Sequence, residues 1–176
     1  MKRNFTLPAA FGLLLLAGSA AYSQTPASGW SGMDRDFLTE VSQSDAAEIQ
    51  AAELALDRSH NVNVRRLAQM VIDHHKMSQD QLSAYASGAS TTLSTQPSSE
   101  QSEAYSDLER LDGETFDHAY IKNQIEAHKK AIWRFQQVLQ DTNDQQTKNY
   151  VWGTLPQLRR HLTEFKFLKN NCNECW

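Results

Sequence analysis

Apolar residues recur along this chain at intervals of three, four and seven over four long stretches, and nowhere in strict alternation. That spacing predicts helices and no strands. The first helix is predicted from about Asp34 to Ser59, with Phe37, Val41, Ala52 and Ala55 on one face. The second runs from about Val64 to Tyr85, with Val64, Leu67, Val71, Leu82 and Tyr85 on its stripe. Between them, Ser59-His60-Asn61-Val62-Asn63 is a tight turn in which Asn61 or Asn63 caps the second helix. So short a connection makes the two helices antiparallel. The third long helix covers about Thr115 to Leu139, with Ile121, Ile125, Ile132, Phe135 and Leu139 in three-four spacing. After the turn Asp141 to Asp144, where Asn143 and Gln146 resemble a capping box, the fourth runs to about Leu168. Its apolar face is Val151, Leu155, Leu158, Leu162, Phe165 and Leu168, and Pro156 inside it predicts a kink near Trp152.

Residues Gly88 to Ser102 are polar and read as a loop, followed by a short helix over about Glu103 to Leu111. A loop of roughly 15 residues reaches ~50 Å, so a crossover along the bundle and a return at the same end are both open. Four long amphipathic helices imply an all-α four-helix bundle over residues 34–169.

The N-terminus changes where this bundle is expected to work. Lys2 and Arg3 precede the apolar run Phe11 to Ala17, which falls short of the about 20 residues that span a bilayer. Small residues follow, so residues 1–23 read as a signal peptide cut after Ala21 or Ser23. No cysteine follows the run to accept a lipid. Removing Lys2 and Arg3, and no acid, moves the net charge from −4 to −6, which argues against nucleic acid as a partner. Residues 24–33, rich in Ser, Ala and Gly, read as a flexible leader. The last seven residues, 170–176, hold Cys172 and Cys175, a disulfide candidate in an oxidising compartment. The expected address is the periplasm, the outer membrane or the medium, with no transmembrane segment left after cleavage.

The chemistry lies in polar residues that occupy apolar positions. His128 sits between Ile125 and Ile132, and His161 between Leu158 and Phe165. His74 follows Val71 by three and Leu67 by seven, with His75 nearer the edge. Glu48 follows Val41 by seven and precedes Ala52 by four. Glu48 and His74 are equidistant from the turn at residue 61 and face each other. His161 is expected opposite Gln124, about four residues or ~6 Å from His128 along the axis. Asp117 and Tyr120 fall one layer away, as candidates to hydrogen-bond the ligating histidines. One carboxylate and three imidazoles on facing helices suit a divalent transition metal such as zinc, copper or iron. The alternative is a hydrogen-bonded polar layer that fixes packing in a non-catalytic envelope protein, structural or stress-related. Di-iron bundles use a Glu-x-x-His pair on two helices, and the inward positions here lack it. Nor is there a nucleophile beside an inner histidine, a Gly-rich phosphate loop, or a pair of carboxylates in a cleft, so no enzyme activity is predicted.

Several segments carry a further likeness: Asp36-Phe37, Glu48-Ile49, Val64 through His74, Phe116 through Tyr120, His128, Leu155 through Leu158, and His161-Leu162. In their order and spacing the chain resembles the domain-of-unknown-function family 4142, bacterial exported proteins described as outer-membrane or secreted. The resemblance implies a ferritin-like helical bundle and an extracytoplasmic address, and supplies no function. His75, beside the matching His74, leaves open which imidazole faces inward.

Overall fold

The computed structural model describes residues 30–171. The described chain forms five helices, α1 (Gly32–Arg58), α2 (Val62–Gly88), α3 (Ser99–Glu109), α4 (Gly113–Asp141) and α5 (Gln145–Asn171). The four long ones match the four periodic stretches. All but α4 begin where a short polar side chain takes over a backbone bond. Ser31 caps α1 by accepting from the Asp34 amide, and Asn61 caps α2 by accepting from Asn63 and Val64. Ser98 and Gln101 form a capping box on α3, which starts four residues earlier than its pattern predicts. At α5 the cap is Asp144, whose carboxylate accepts from the Thr147 amide at 2.7 Å, rather than Asn143. Pro156 does not interrupt α5, which stays helical from Gln145 to Asn171. It sits on the exposed face, where the carbonyl that proline leaves without a donor is open to solvent.

Two contacts fix the topology. Arg58, at the end of α1, meets Asp112, at the start of α4, at 2.6 Å. Thr142, just after α4, donates to Asp34 at the start of α1 at 2.5 Å. Thus α4 starts at the α1–α2 turn and ends where α1 begins, parallel to α2 and antiparallel to α1 and α5. The order is up-down-down-up, and the segment from Ala89 through α3 is a crossover, which settles the connection that loop length left open.

The bundle is shorter on flexible ends than the sequence suggests. Trp30, within the segment read as leader, is 6% exposed and packs with Phe37, Leu82, Phe135 and Tyr150. The expected signal peptide and the Cys172–Cys175 pair lie outside the described residues. Among those described, no helix is long and apolar enough to cross a membrane.

Candidate metal centre

The core is two apolar clusters with a polar waist between them. One cluster gathers Phe37, Val41, Leu82, Phe135, Tyr150 and Leu158 near the start of α1. The other gathers Leu54, Leu67, Val71, Ile121 and Phe165 near the α1–α2 turn. Between them on every long helix the buried positions turn polar: Asp45 and Glu48 on α1, His75 on α2, Gln124 and His128 on α4, and His161 on α5.

His75, His128 and His161 converge, with one ring nitrogen of each within 4.8 Å of the others. His128 and His161 come closer than the helix register predicts, with Nε2 and Nδ1 at 3.0 Å. Side chains lean toward the N-terminus of their own helix. On antiparallel α4 and α5 the two rings therefore lean toward each other and close the axial offset.

The hydrogen bonds assign the protons. The Gln124 carbonyl can only accept, so His128 donates to it from Nδ1 at 2.8 Å, and a neutral His128 has a bare Nε2. His161 then donates from Nδ1 to His128, and His74 donates from Nδ1 to His161 Nε2 at 2.7 Å. His75 donates from Nδ1 to Asp45 at 2.7 Å, which leaves its Nε2 buried with no hydrogen-bond partner. Asp45 is held from its other oxygen by Ser78 at 2.5 Å, and Ser78 meets the Tyr150 hydroxyl at 2.6 Å.

Burial sets the charge state of the layer. Desolvation pushes His128 down, and pulls His161 down to about 2 with help from the neighbouring imidazoles. Desolvation, with Arg160 nearby, also lowers His74. At His75 burial acts downward too, but the hydrogen bond and charge of Asp45, with the charge of Glu48, outweigh it and raise the pKa. The sign for stability follows. A histidine with a lowered folded pKa costs stability as pH falls below the unfolded value of about 6.5, because only the unfolded chain takes the proton. His75 does the reverse, adding stability below that value and losing it as pH rises through its folded pKa. Between pH 7 and pH 5 we expect the metal-free protein to lose about 2 kcal/mol through His161 alone. Urea unfolding at the two pH values measures this, and the loss should shrink in His161→Gln.

The residues singled out from the sequence divide. His128 and His161 meet in the waist. The order of the adjacent pair is reversed, since His75 is buried and His74 is partly exposed, its ring nearly coplanar with that of His161, with centroids 5.0 Å apart. Glu48 is in the layer but faces Gln124, whose amide donates to it at 2.5 Å. Asp117 is not beside the imidazoles. It hydrogen-bonds Ser59 near the α1–α2 turn, and its carboxyl is raised by burial. Tyr120 lies against Phe116 and Phe165, its hydroxyl buried without a partner and pushed far up by burial and the charge of Glu48. Asp45 was missed. Its signal was a heptad of buried positions, Leu38, Asp45 and Ala52, and the same spacing through Ala68, His75 and Leu82 marks His75.

A family model described as "Domain of unknown function (DUF4142)" matches residues 19–168. Among curated proteins none matches. Of solved structures, a DUF305 fragment from Deinococcus radiodurans is similar at TM-score 0.72 and 16% identity, covering 81% of this chain and 98% of that one. CopM in its Cu(II)-bound form is similar at TM-score 0.67 and 15% identity, covering 81% and 98%. A DUF305 protein from Streptomyces coelicolor gives TM-score 0.67 and 14% identity, covering 78% and 91%. At these identities the likeness is one of fold.

Proposed function

The chain belongs to the DUF4142 family, and from that premise we propose that it binds a divalent transition metal in the waist of its bundle, after export to the cell envelope. His75, His128 and His161 are the ligands of this reading. The observation that carries it is the pairing of nitrogens on each ring. One nitrogen of each imidazole is held by a protein partner, Asp45 for His75, the Gln124 carbonyl for His128 and His74 for His161, while the other turns to a shared space. Metal-binding histidines are oriented in this way, with the second nitrogen donating to a carboxylate, carbonyl or other acceptor. For His161 it requires that its proton move to Nε2 and that the proton of His74 move to its own Nε2, so that His74 Nδ1 becomes the acceptor.

Charge supports a divalent ion. Asp45 and Glu48 are 3% and 7% exposed. Glu48 forms no ion pair among the described residues, and Asp45 pairs only with His75. Buried carboxylates without countercharge are costly, and a dication held by three neutral imidazoles would balance both. Imidazole suits zinc, copper, iron and nickel. CopM, solved in Cu(I)-, Cu(II)- and Ag-bound forms on the same fold, puts copper first among the ions to load. Such an ion would cross-link helices and offer a Lewis-acid or redox centre. The basic and apolar leader of residues 1–23 supports loading outside the cytoplasm.

Elemental analysis of the exported chain after loading with copper, zinc or iron should find one ion per chain. Metal at 1,000 times its Kd should stabilise the fold by about 4 kcal/mol. Uptake of none of these ions would overturn the reading. A second reading rests on the run from His74 through His161 and His128 to the Gln124 carbonyl, which satisfies itself without metal. In that case the layer fixes packing alone.

A further inference from the structure

A cavity of about 570 Å³ opens off the imidazoles, with His75, His128 and His161 forming part of its wall. The rest of the wall comes mainly from α1, α4 and the first turns of α3, and much of it is apolar: Phe37, Val41, Ala127, Ala131, Phe135 and Leu158. Protein interiors are packed to crystal-like density with few voids larger than a water. A space of this size lies instead in the range of small-molecule sites, about 300–1,000 Å³. Four alanines, Ala47, Ala104, Ala127 and Ala131, are among its lining residues.

The exposed charges around the cavity pair with one another, while the buried Asp45 and Glu48 of its wall are the carboxylates that the proposed ion would balance. Arg134 pairs with Glu40 at 2.8 Å, Lys130 with Glu100 at 3.2 Å, and Lys129 with Glu126 at 2.8 Å. Among the described residues of the wall, no Lys or Arg and no exposed carboxylate is left outside these pairs. What the wall offers is apolar surface at the sides and nitrogen donors at one end. A metal site with three protein ligands keeps a position for a molecule from outside.

We propose that this cavity is a binding site for a small neutral molecule with an apolar body and a single nitrogen or sulfur donor atom. The donor completes the coordination of the ion held by the three imidazoles, and the body lies among Phe37, Val41, Ala131 and Phe135. The proposal rests on the metal reading, and its test separates the two.

The chain is loaded with Co(II), and imidazole and 4-phenylimidazole are titrated while the visible ligand-field absorption is followed. The expected result is that 4-phenylimidazole binds at least about tenfold more tightly, from the area its ring buries. Ala131→Phe, which fills the cavity one turn after His128, should bring that ratio near one, with metal content measured alongside. Ala131→Leu provides the same readout with a smaller side chain. A loaded chain with equal affinity for the two probes overturns this proposal alone, as does a ratio unmoved in both variants. A chain that takes up no cobalt, copper, zinc or iron overturns the metal reading and this proposal with it.

Discussion

Replacing His128 with Ala is expected to weaken metal binding by about two to three orders of magnitude. Structural zinc sites with four ligands bind with roughly 10–16 kcal/mol, so one imidazole is worth about 3 kcal/mol, or somewhat over a hundredfold. His128 supplies the Nε2 that lies 3.0 Å from His161, so its loss opens the centre of the triad. Titration calorimetry of the loaded and stripped protein measures the change. His128→Leu separates the two readings of the layer. If the imidazoles only fix packing, the leucine strands the buried Nδ1–H of His161 and costs about 1–3 kcal/mol, and metal shifts the melting of neither protein. If they hold an ion, metal raises the melting temperature of the wild type and leaves the leucine variant where it was. Equal metal affinity in His128→Ala and wild type would sink the assignment of this ligand.

The second large effect is expected at Asp45. This carboxylate is 3% exposed and accepts from both His75 and Ser78. Asp45→Ala removes the acceptor from a buried imidazole and a buried hydroxyl together, which should cost about 3 kcal/mol or more in urea unfolding. It also frees His75 to rotate and to hold its proton on either nitrogen, so metal affinity should fall roughly 10–100-fold. Asp45→Asn keeps the shape and an acceptor oxygen without the charge. That variant should recover most of the stability while His75 loses the upward push on its pKa, which NMR titration of the imidazole would read directly. An Asp45→Ala protein that is destabilised yet binds metal as the wild type does would reduce Asp45 to a packing residue.

The helices were legible because their apolar residues repeat at helical spacing with few exceptions, and the waist was legible in part because His128 and His161 break that repeat. The division between His74 and His75 was harder. Neighbouring residues on a helix point about 100° apart, and the buried stripe of α2 is wide enough to include both Val71 and Ile72. Spacing from Val71 favours His74, whereas spacing from Ile72 and Leu82 favours His75. On α1 the same width hid Asp45 behind Glu48, since each lies seven residues from buried neighbours. The 3.0 Å approach of His128 and His161 was lost for another reason. Counting residues from a turn locates Cα atoms, while the rings extend beyond them toward opposite ends of the bundle.

The three imidazoles stand on α2, α4 and α5, far apart along the chain. His128 and His161 meet once α5 has docked on α4, but His75 joins them only when the crossover has brought α2 alongside, so we expect the complete triad to be a late product of folding. An ion that binds only the finished triad cannot hasten its assembly. It would act instead on the way out, by stabilising contacts absent from the transition state and so slowing unfolding. In the exported protein proposed above, such a centre would act as a brake, lengthening the lifetime of the native state.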